Sequence, residues 1–404
     1  MANKKKTTEK NKFKWIFRIS LFLLITLFVL VFISFNSTYL INEVMRYIFI
    51  VIMILSVGSM VYTFKKFKKS KIFIGLFTVY ALGCGIFLNV VYNNDSFKDW
   101  FITTALATNS HEYYANILYS DKDIEKVKDN NYIIEPEEDT DETLVDTSLS
   151  DVVFKEEVTY ENEYEEAVLD REEGTKFKLI EFEVNGQDAY LGVIYNPEDV
   201  HVGVTQYLGV RGEYVTAMAE RYEASLAINA GRFYDPSYSG AGGTPSGITI
   251  VDGAVITGTG STNTKVIGFN ENDILMLIDN CTVAQAQANG IRDAVYSTPF
   301  LIVNGTPAFI AGNGGWGMAA RTAIGQRADG IVLFLVVDSN EFRTSGADMS
   351  DLTEIMLNYG AINAANLDGG TSSVMALNYE LINDPIDSSL AHQTRPVATL
   401  FYVN

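Results

Sequence analysis

The chain has 404 residues, of which 48% are hydrophobic, with 30 Lys and Arg against 50 Asp and Glu for a formal net charge of −20. So acidic a balance argues against nucleic acid as a partner, because phosphates would be repelled. With two cysteines, Cys84 and Cys281, a disulfide framework is excluded and any fold must rest on its core.

Taken in chain order, the first elements are three apolar runs, Trp15–Phe35, Ile48–Phe64 and Ile72–Tyr92. Each is about long enough to cross a ~30 Å hydrocarbon layer. Core helices, and for the first run a cleaved signal peptide, are the competing readings. Lysine and arginine crowd the N-terminal tail (Lys4, Lys5, Lys6, Lys10, Lys12, Lys14, Arg18) and the second connection (Lys65, Lys66, Lys68, Lys69, Lys71), whereas the first connection has only Glu43 with Arg46 at its edge. This asymmetry predicts a multi-pass protein of the cell membrane, its N-terminus cytoplasmic, three helices in the lipid bilayer, and all that follows Tyr92 extracellular. Residues 1–92 hold 13 of the 30 basic and 2 of the 50 acidic residues, which leaves −31 for the remainder.

Residues 93–150 offer little for a compact core. Glu135, Glu137, Glu138, Asp139, Asp141 and Glu142 mark an acidic, solvated stalk, with helical hints near Tyr113–Tyr119 and Ile124–Val127. Residues 151–404 read differently. Phe177–Val184 and Ala189–Tyr195 flank Asn185-Gly186, and Ile248–Val251 and Ala254–Thr257 flank Asp252-Gly253, both hairpin signals. A helix over Thr216–Tyr222 leads into a small-residue strand, Ser225–Ile228, and the turn Asn229-Ala230-Gly231. Strands are expected at Val266–Phe269, Ile274–Ile278, Ala294–Val303, Ile331–Val337 and Val397–Val403, with a short helix at Val283–Ala288. Met349, Leu352, Ile355, Met356 and Tyr359 share one face of a helix that ends at Gly360. A strand, Ala361–Leu367, then delivers Asp368-Gly369-Gly370. Tyr222 precedes Asn229 by the spacing at which Tyr359 precedes Asn366, so two helix-to-strand units end in two Asn/Gly turns, which would open on one cleft if their strands were neighbours. The fold class is α+β: three N-terminal transmembrane helices (residues 1–92), the stalk (93–150) and an exported mixed-sheet domain with short helices (151–404).

Several segments, in this order, carry a resemblance: AINAGRFYD (Ala227–Asp235), PSG (Pro245–Gly247), STPFLIVNG (Ser297–Gly305), RTAIG (Arg321–Gly325), VVDS (Val336–Ser339), Gly360–Ser372 and RPVATLFYV (Arg395–Val403). From about Lys176 onward the chain resembles the phosphodiester glycosidase family, whose bacterial relatives are often labelled exopolysaccharide biosynthesis proteins. Ser339 and Arg232 depart from the glycine and the aromatic usual there, and both departures bear on substrate choice. The resemblance implies an α-N-acetylglucosaminidase-like hydrolase that frees a sugar from a 1-phosphodiester in a surface or exported glycan. A non-catalytic glycan-binding or exopolysaccharide assembly factor is the alternative.

That chemistry needs a carboxylate near the anomeric carbon and donors for phosphate. Asp368 is the first candidate carboxylate and Asp338 the second. Arg321, Thr322, Ser372 and the backbone N–H groups of the Gly369–Thr371 turn are the phosphate candidates, because a planar guanidinium holds two oxygens at once. Asn229, Gly231 and Asn366 are placed at the sugar, and Arg395 at either sugar or phosphate. Each has a structural alternative: an ion pair for Arg321 or Arg395, a strand-end cap for Asp338, turn bonds for the asparagines. No metal-ligand spacing joins His111, His201 and His392, and no cofactor is called for, although acidic turns could hold a structural Ca²⁺. The sequence leaves the oligomeric state open.

Overall fold

A computed structural model describes residues 86–404, apart from 87–88, 108–111, 149–158, 236–241, 259–262, 341–344 and 388–390. The chain divides into two compact units, residues 1–129 and 130–404.

The membrane-anchored architecture expected of the N-terminal part is corrected: among the described residues no helix is long and apolar enough to cross a membrane. Asp95–Ala107, the longest helix with both ends described, has 13 residues. At ~1.5 Å per residue it reaches roughly 20 Å, short of a ~30 Å hydrocarbon layer. The runs Trp15–Phe35 and Ile48–Phe64, and most of Ile72–Tyr92, lie outside the described residues. The multi-pass placement with an extracellular C-terminal domain rested on those runs and is withdrawn with them.

The described part of the first unit is not the coreless segment expected. Asp95–Ala107, Glu112–Leu118 and Asp121–Asn130 are helices. They bury Val91, Ile102, Ala105, Ala115, Tyr119, Ile124 and Val127 together. The Tyr119 hydroxyl donates to the Val91 carbonyl at 3.0 Å. Ile124 and Val127 lie one helical turn apart, so a strongly charged segment still presents an apolar stripe.

The second unit is built from antiparallel sheets with few helices. Its seven-stranded sheet runs, from edge to edge, Thr306–Pro307, Phe300–Val303, Ala361–Asn366, Arg321–Arg327, Val332–Val337, Gln187–Ile194 and Phe177–Val184. Five strands make a second sheet: Glu380–Leu381, Met375–Leu377, Leu226–Asn229, Thr399–Val403 and Val200–Val204. A further five-stranded sheet contains Ala254–Thr257, Thr249–Val251, Ile291–Val295, Thr264–Asn270 and Leu275–Cys281.

Val332–Val337 shows why the large sheet is central. Alternate residues of a strand face opposite sides. Val332, Phe334 and Val336 enter the core shared with Leu226, Ile228, Phe269 and Phe401. Leu333, Leu335 and Val337 pack with Met349, Leu352 and Met356 of the helix Met349–Asn358. With both faces covered, the strand reads as an unbroken apolar run. The helix starts where the Asp348 carboxylate accepts from the Ser350 and Asp351 N–H groups while Asp351 reaches back to the Asp348 N–H. This reciprocal cap satisfies donors that a helix start leaves open.

The acidic segment 132–148 is laid along this unit rather than standing as a solvated stalk. Tyr132–Ile134 pairs with Phe309–Ala311. The Glu135 carboxylate accepts from the Phe300 N–H at 2.8 Å and meets Lys265 at 3.1 Å. Buried Thr140 accepts from the Leu277 N–H at 2.9 Å, and Asp139 from the Asp279 N–H at 2.9 Å. Loose backbone donors of the sheets supply what the acid count alone did not show.

Candidate active site

The site is assembled around the turn after strand Ala361–Asn366. Leu367 N–H donates to the Thr322 carbonyl, Asp368 N–H to that of Ala230, and Gly370 N–H to that of Ala320. The turn is thereby tied both to the strand beginning at Arg321 and to the turn after Leu226–Asn229. The two strands of the internal echo lie in different sheets, yet their ends meet. Asn229, fully buried, makes the junction: its amide N–H donates to the Asp368 carbonyl, and its Oδ1 accepts from the Thr322 hydroxyl at 2.8 Å and the Val374 N–H at 3.0 Å. The polar groups of Asn229 and Thr322 are therefore committed to holding the turn. Asn366 is similarly engaged through its N–H to Pro299 and its Nδ2 to Thr298 at 2.8 Å. Its Oδ1 is buried without a partner among the described residues.

Asp368 keeps its side chain at the surface of this junction, 16% exposed. Arg395 lies across it. Its Nη2 is 3.4 Å from Asp368 Oδ2, its Nε donates to buried Ser372 Oγ at 2.8 Å, and its Nη1 is 3.9 Å from Asp235 Oδ2. The guanidinium carbon sits 4.6 Å from the centre of the Phe233 ring. Sequence reasoning did not single out Phe233 and Asp235 as site members. Two residues apart in an extended segment, they face the same way, and that spacing within the quoted RFYD stretch was the available signal.

Arg321 occupies the other flank. Its Nε donates to the Ala347 carbonyl at 3.1 Å, and its Nη2 to those of Trp316 and Gly317, both at 2.7 Å. Among the described residues its Nη1 has no hydrogen-bond partner, and a Cβ placed on Gly369 would lie 3.7 Å from it. Burial pulls the guanidinium down to about 10; Asp348 opposes the shift and Arg232 adds to it. Gly370 takes φ +64°, a conformation that glycine reaches without steric cost. Of the turn donors expected for phosphate, Gly370 N–H is spent on Ala320, whereas among the described residues those of Gly369 and Thr371 meet no acceptor.

Asp338 is not part of this opening. Its carboxylate is buried and accepts from Asn383 Nδ2 at 2.7 Å and the Asp384 N–H at 2.8 Å. Burial raises its pKa against those two bonds, and Asp384 and Asp188 add to the rise. Asn383 also donates to the Ser373 carbonyl, so Asp338 braces the segment behind the turn. Gly231 is set by packing: a Cβ there would fall 2.8 Å from that of Val295. His201, Asp252 and Asp293 form a group that could hold a metal ion. Arg292 Nη1 already lies 2.6 Å from Asp293 Oδ2, and Asp252 N–H donates to Oδ1 at 3.2 Å. A cation there would meet a carboxylate already engaged.

The arrangement is a part-exposed carboxylate on a turn with guanidinium groups on both flanks, chemistry that can accept an anion. Residues 222–404 match the model of the phosphodiester glycosidase family. The SPbeta prophage-derived uncharacterized protein YomE of Bacillus subtilis (strain 168) is 29% identical over 193 residues, 45% of this chain and 29% of that protein. The chain thus matches less than a third of the length of this curated relative. Among solved structures, the zebrafish N-acetylglucosamine-1-phosphodiester α-N-acetylglucosaminidase catalytic domain, auto-inhibited by its pro-peptide, is 19% identical, with 56% of this chain and 82% of that one covered and a TM-score of 0.48. A hypothetical protein from Synechocystis is 16% identical, with 56% and 61% covered and a TM-score of 0.38.

Proposed function

We propose that the domain hydrolyses a glycan phosphodiester at the sugar, releasing the sugar and a phosphomonoester, with N-acetylglucosamine in α linkage as the first sugar to test. The observation that carries this reading is the Asp368–Thr371 turn, set between Arg321 and Arg395 with two backbone donors unspent. Arg321 Nη1 and the N–H groups of Gly369 and Thr371 hold the non-bridging phosphate oxygens. Water attacks the anomeric carbon as its bond to the phosphate oxygen breaks, and that oxygen keeps the bonding electrons. The water proton passes to the Asp368 carboxylate and then to solvent. A phosphomonoester is a weakly basic leaving group, so the step makes little demand on a general acid. Asp235, across Arg395 from Asp368, supplies the second carboxylate that glycosidase chemistry commonly uses.

The test is release of sugar and phosphomonoester from GlcNAc 1-phosphodiesters by the full-length protein and by Asp368→Asn. The substitution should lower kcat by about 10²–10⁴, the range for a general base. Turnover within tenfold of wild type would remove Asp368 from this role. Glycan binding by the wild type with no product after long incubation would favour the non-catalytic alternative.

A further inference from the structure

The reaction scheme gives Arg232 no task. Arg232 follows Gly231, its N–H donating to the Tyr296 carbonyl at 2.9 Å and its carbonyl accepting from the Ser246 N–H at 2.8 Å. Fixed on both sides, this extended segment sends Arg232 away from the face that carries Phe233 and Asp235. Its guanidinium carbon lies 5.3 Å from the Trp316 ring centre. The carbonyl of the same Trp316 accepts from Arg321, and the charge of Arg232 is near enough to depress the Arg321 pKa. Among the described residues Arg232 has no ion pair and no side-chain hydrogen bond, and it rests on the Trp316 face.

Two neighbouring guanidinium groups repel each other. Here neither is joined to a carboxylate by an ion pair among the described residues, in a chain with 50 acidic residues to choose from. Such an arrangement is stabilised when anionic charge comes between the two. One phosphodiester group carries one negative charge, which Arg321 and the turn donors already answer. We infer that Arg232, carried on Trp316, is a specificity-determining residue for a second anionic group next to the scissile phosphate, so that the substrate is of the sugar-diphosphate class. This rests on the reading of the Asp368 turn as a phosphodiester site.

The test titrates the full-length protein with inorganic phosphate and with inorganic pyrophosphate at fixed ionic strength, following heat. Pyrophosphate should bind at least about tenfold more tightly, the scale of one charge-assisted contact. Arg232→Gln should abolish most of that preference while leaving phosphate affinity within about twofold, because it spares the Arg321 contacts. Arg232→Lys, which keeps the charge without the planar fork, should retain part of the preference. The inference is overturned if the wild type shows no pyrophosphate binding or no preference, if Arg232→Gln keeps the full preference, or if it weakens both anions equally. Hydrolysis of a GlcNAc 1-phosphodiester, measured in parallel, separates the two readings. Preference without hydrolysis upholds the subsite and removes the reaction; hydrolysis without preference does the reverse.

Discussion

Replacing Asn229 by alanine should damage stability first and catalysis through it. The side chain is completely buried and serves three partners: the Asp368 carbonyl, the Thr322 hydroxyl and the Val374 N–H. Each buried group left without its bond costs about 1–3 kcal/mol. Water entering the vacated space recovers part of that, so a net loss of about 3–5 kcal/mol is reasonable, large for one substitution. In a domain of this size the thermal midpoint should fall by roughly 6–20 °C, at ~2–4 °C per kcal/mol. Denaturant unfolding of the full-length protein, followed by circular dichroism, measures the first quantity, and turnover well below the new midpoint measures the second. Asn229→Asp sharpens the comparison. It keeps an acceptor for Thr322 and Val374 but sets a carboxylate oxygen against the Asp368 carbonyl, so it too should destabilise. A loss under about 1 kcal/mol, joined to a large rise in KM, would refute the bracing role and return Asn229 to direct substrate binding.

Two further outcomes follow from the same geometry. Anion binding should weaken as pH rises through about 10, because the Arg321 pKa falls from 12.5 to about 10 in the fold and only its protonated form holds phosphate. Titration with a dialkyl phosphodiester, whose own charge is constant over that range, reads this directly, and affinity unchanged between pH 8 and 11 would show that Arg321 is not the ligand. Glu135→Ala should strand the N–H of buried Phe300 and leave Lys265 with Asp279 as its one carboxylate partner among the described residues, costing about 1–3 kcal/mol and opening residues 131–148 to proteolysis. Equal protease resistance in the variant would mean that the segment is held by other contacts.

The sheet domain was largely legible in the sequence, for local reasons. Asn185 and Gly186 both adopt positive φ, as a two-residue hairpin needs, and the strands around them pair across Phe177–Val184 and Gln187–Ile194. The helix Met349–Asn358 carried its own start and stop. Ala294–Val303, expected as one strand, is two, Ile291–Val295 and Phe300–Val303, in different sheets, and the polar break Ser297-Thr298-Pro299 was the available signal. Between them the Tyr296, Thr298 and Pro299 carbonyls serve Arg232 and Asn366, partners that no local pattern reveals. The site divided in the same way. Residue type made Asp368, Arg321, Arg395, Asn229, Thr322 and Asp338 equal candidates, and only tertiary contacts show that the side-chain bonds of Asn229, Thr322 and Asp338 are spent within the fold. Apolar run length, used on residues 1–92, says what a segment could do in lipid and nothing about what it does.

Arg321 is fastened by three backbone carbonyls instead of a carboxylate. Partial charges orient the fork without cancelling it, and among the described residues Nη1 is left as the open corner of the guanidinium. On the proposed reading, an anion arriving there would add to the partial compensation that Asp348 and Asp351 give this buried cation, and occupancy and folding would be linked equilibria. Each tenfold rise in anion above its dissociation constant then adds about 1.4 kcal/mol to the stability of the domain. On that reading a melting curve of this protein would also be a gauge of the phosphate compounds around it.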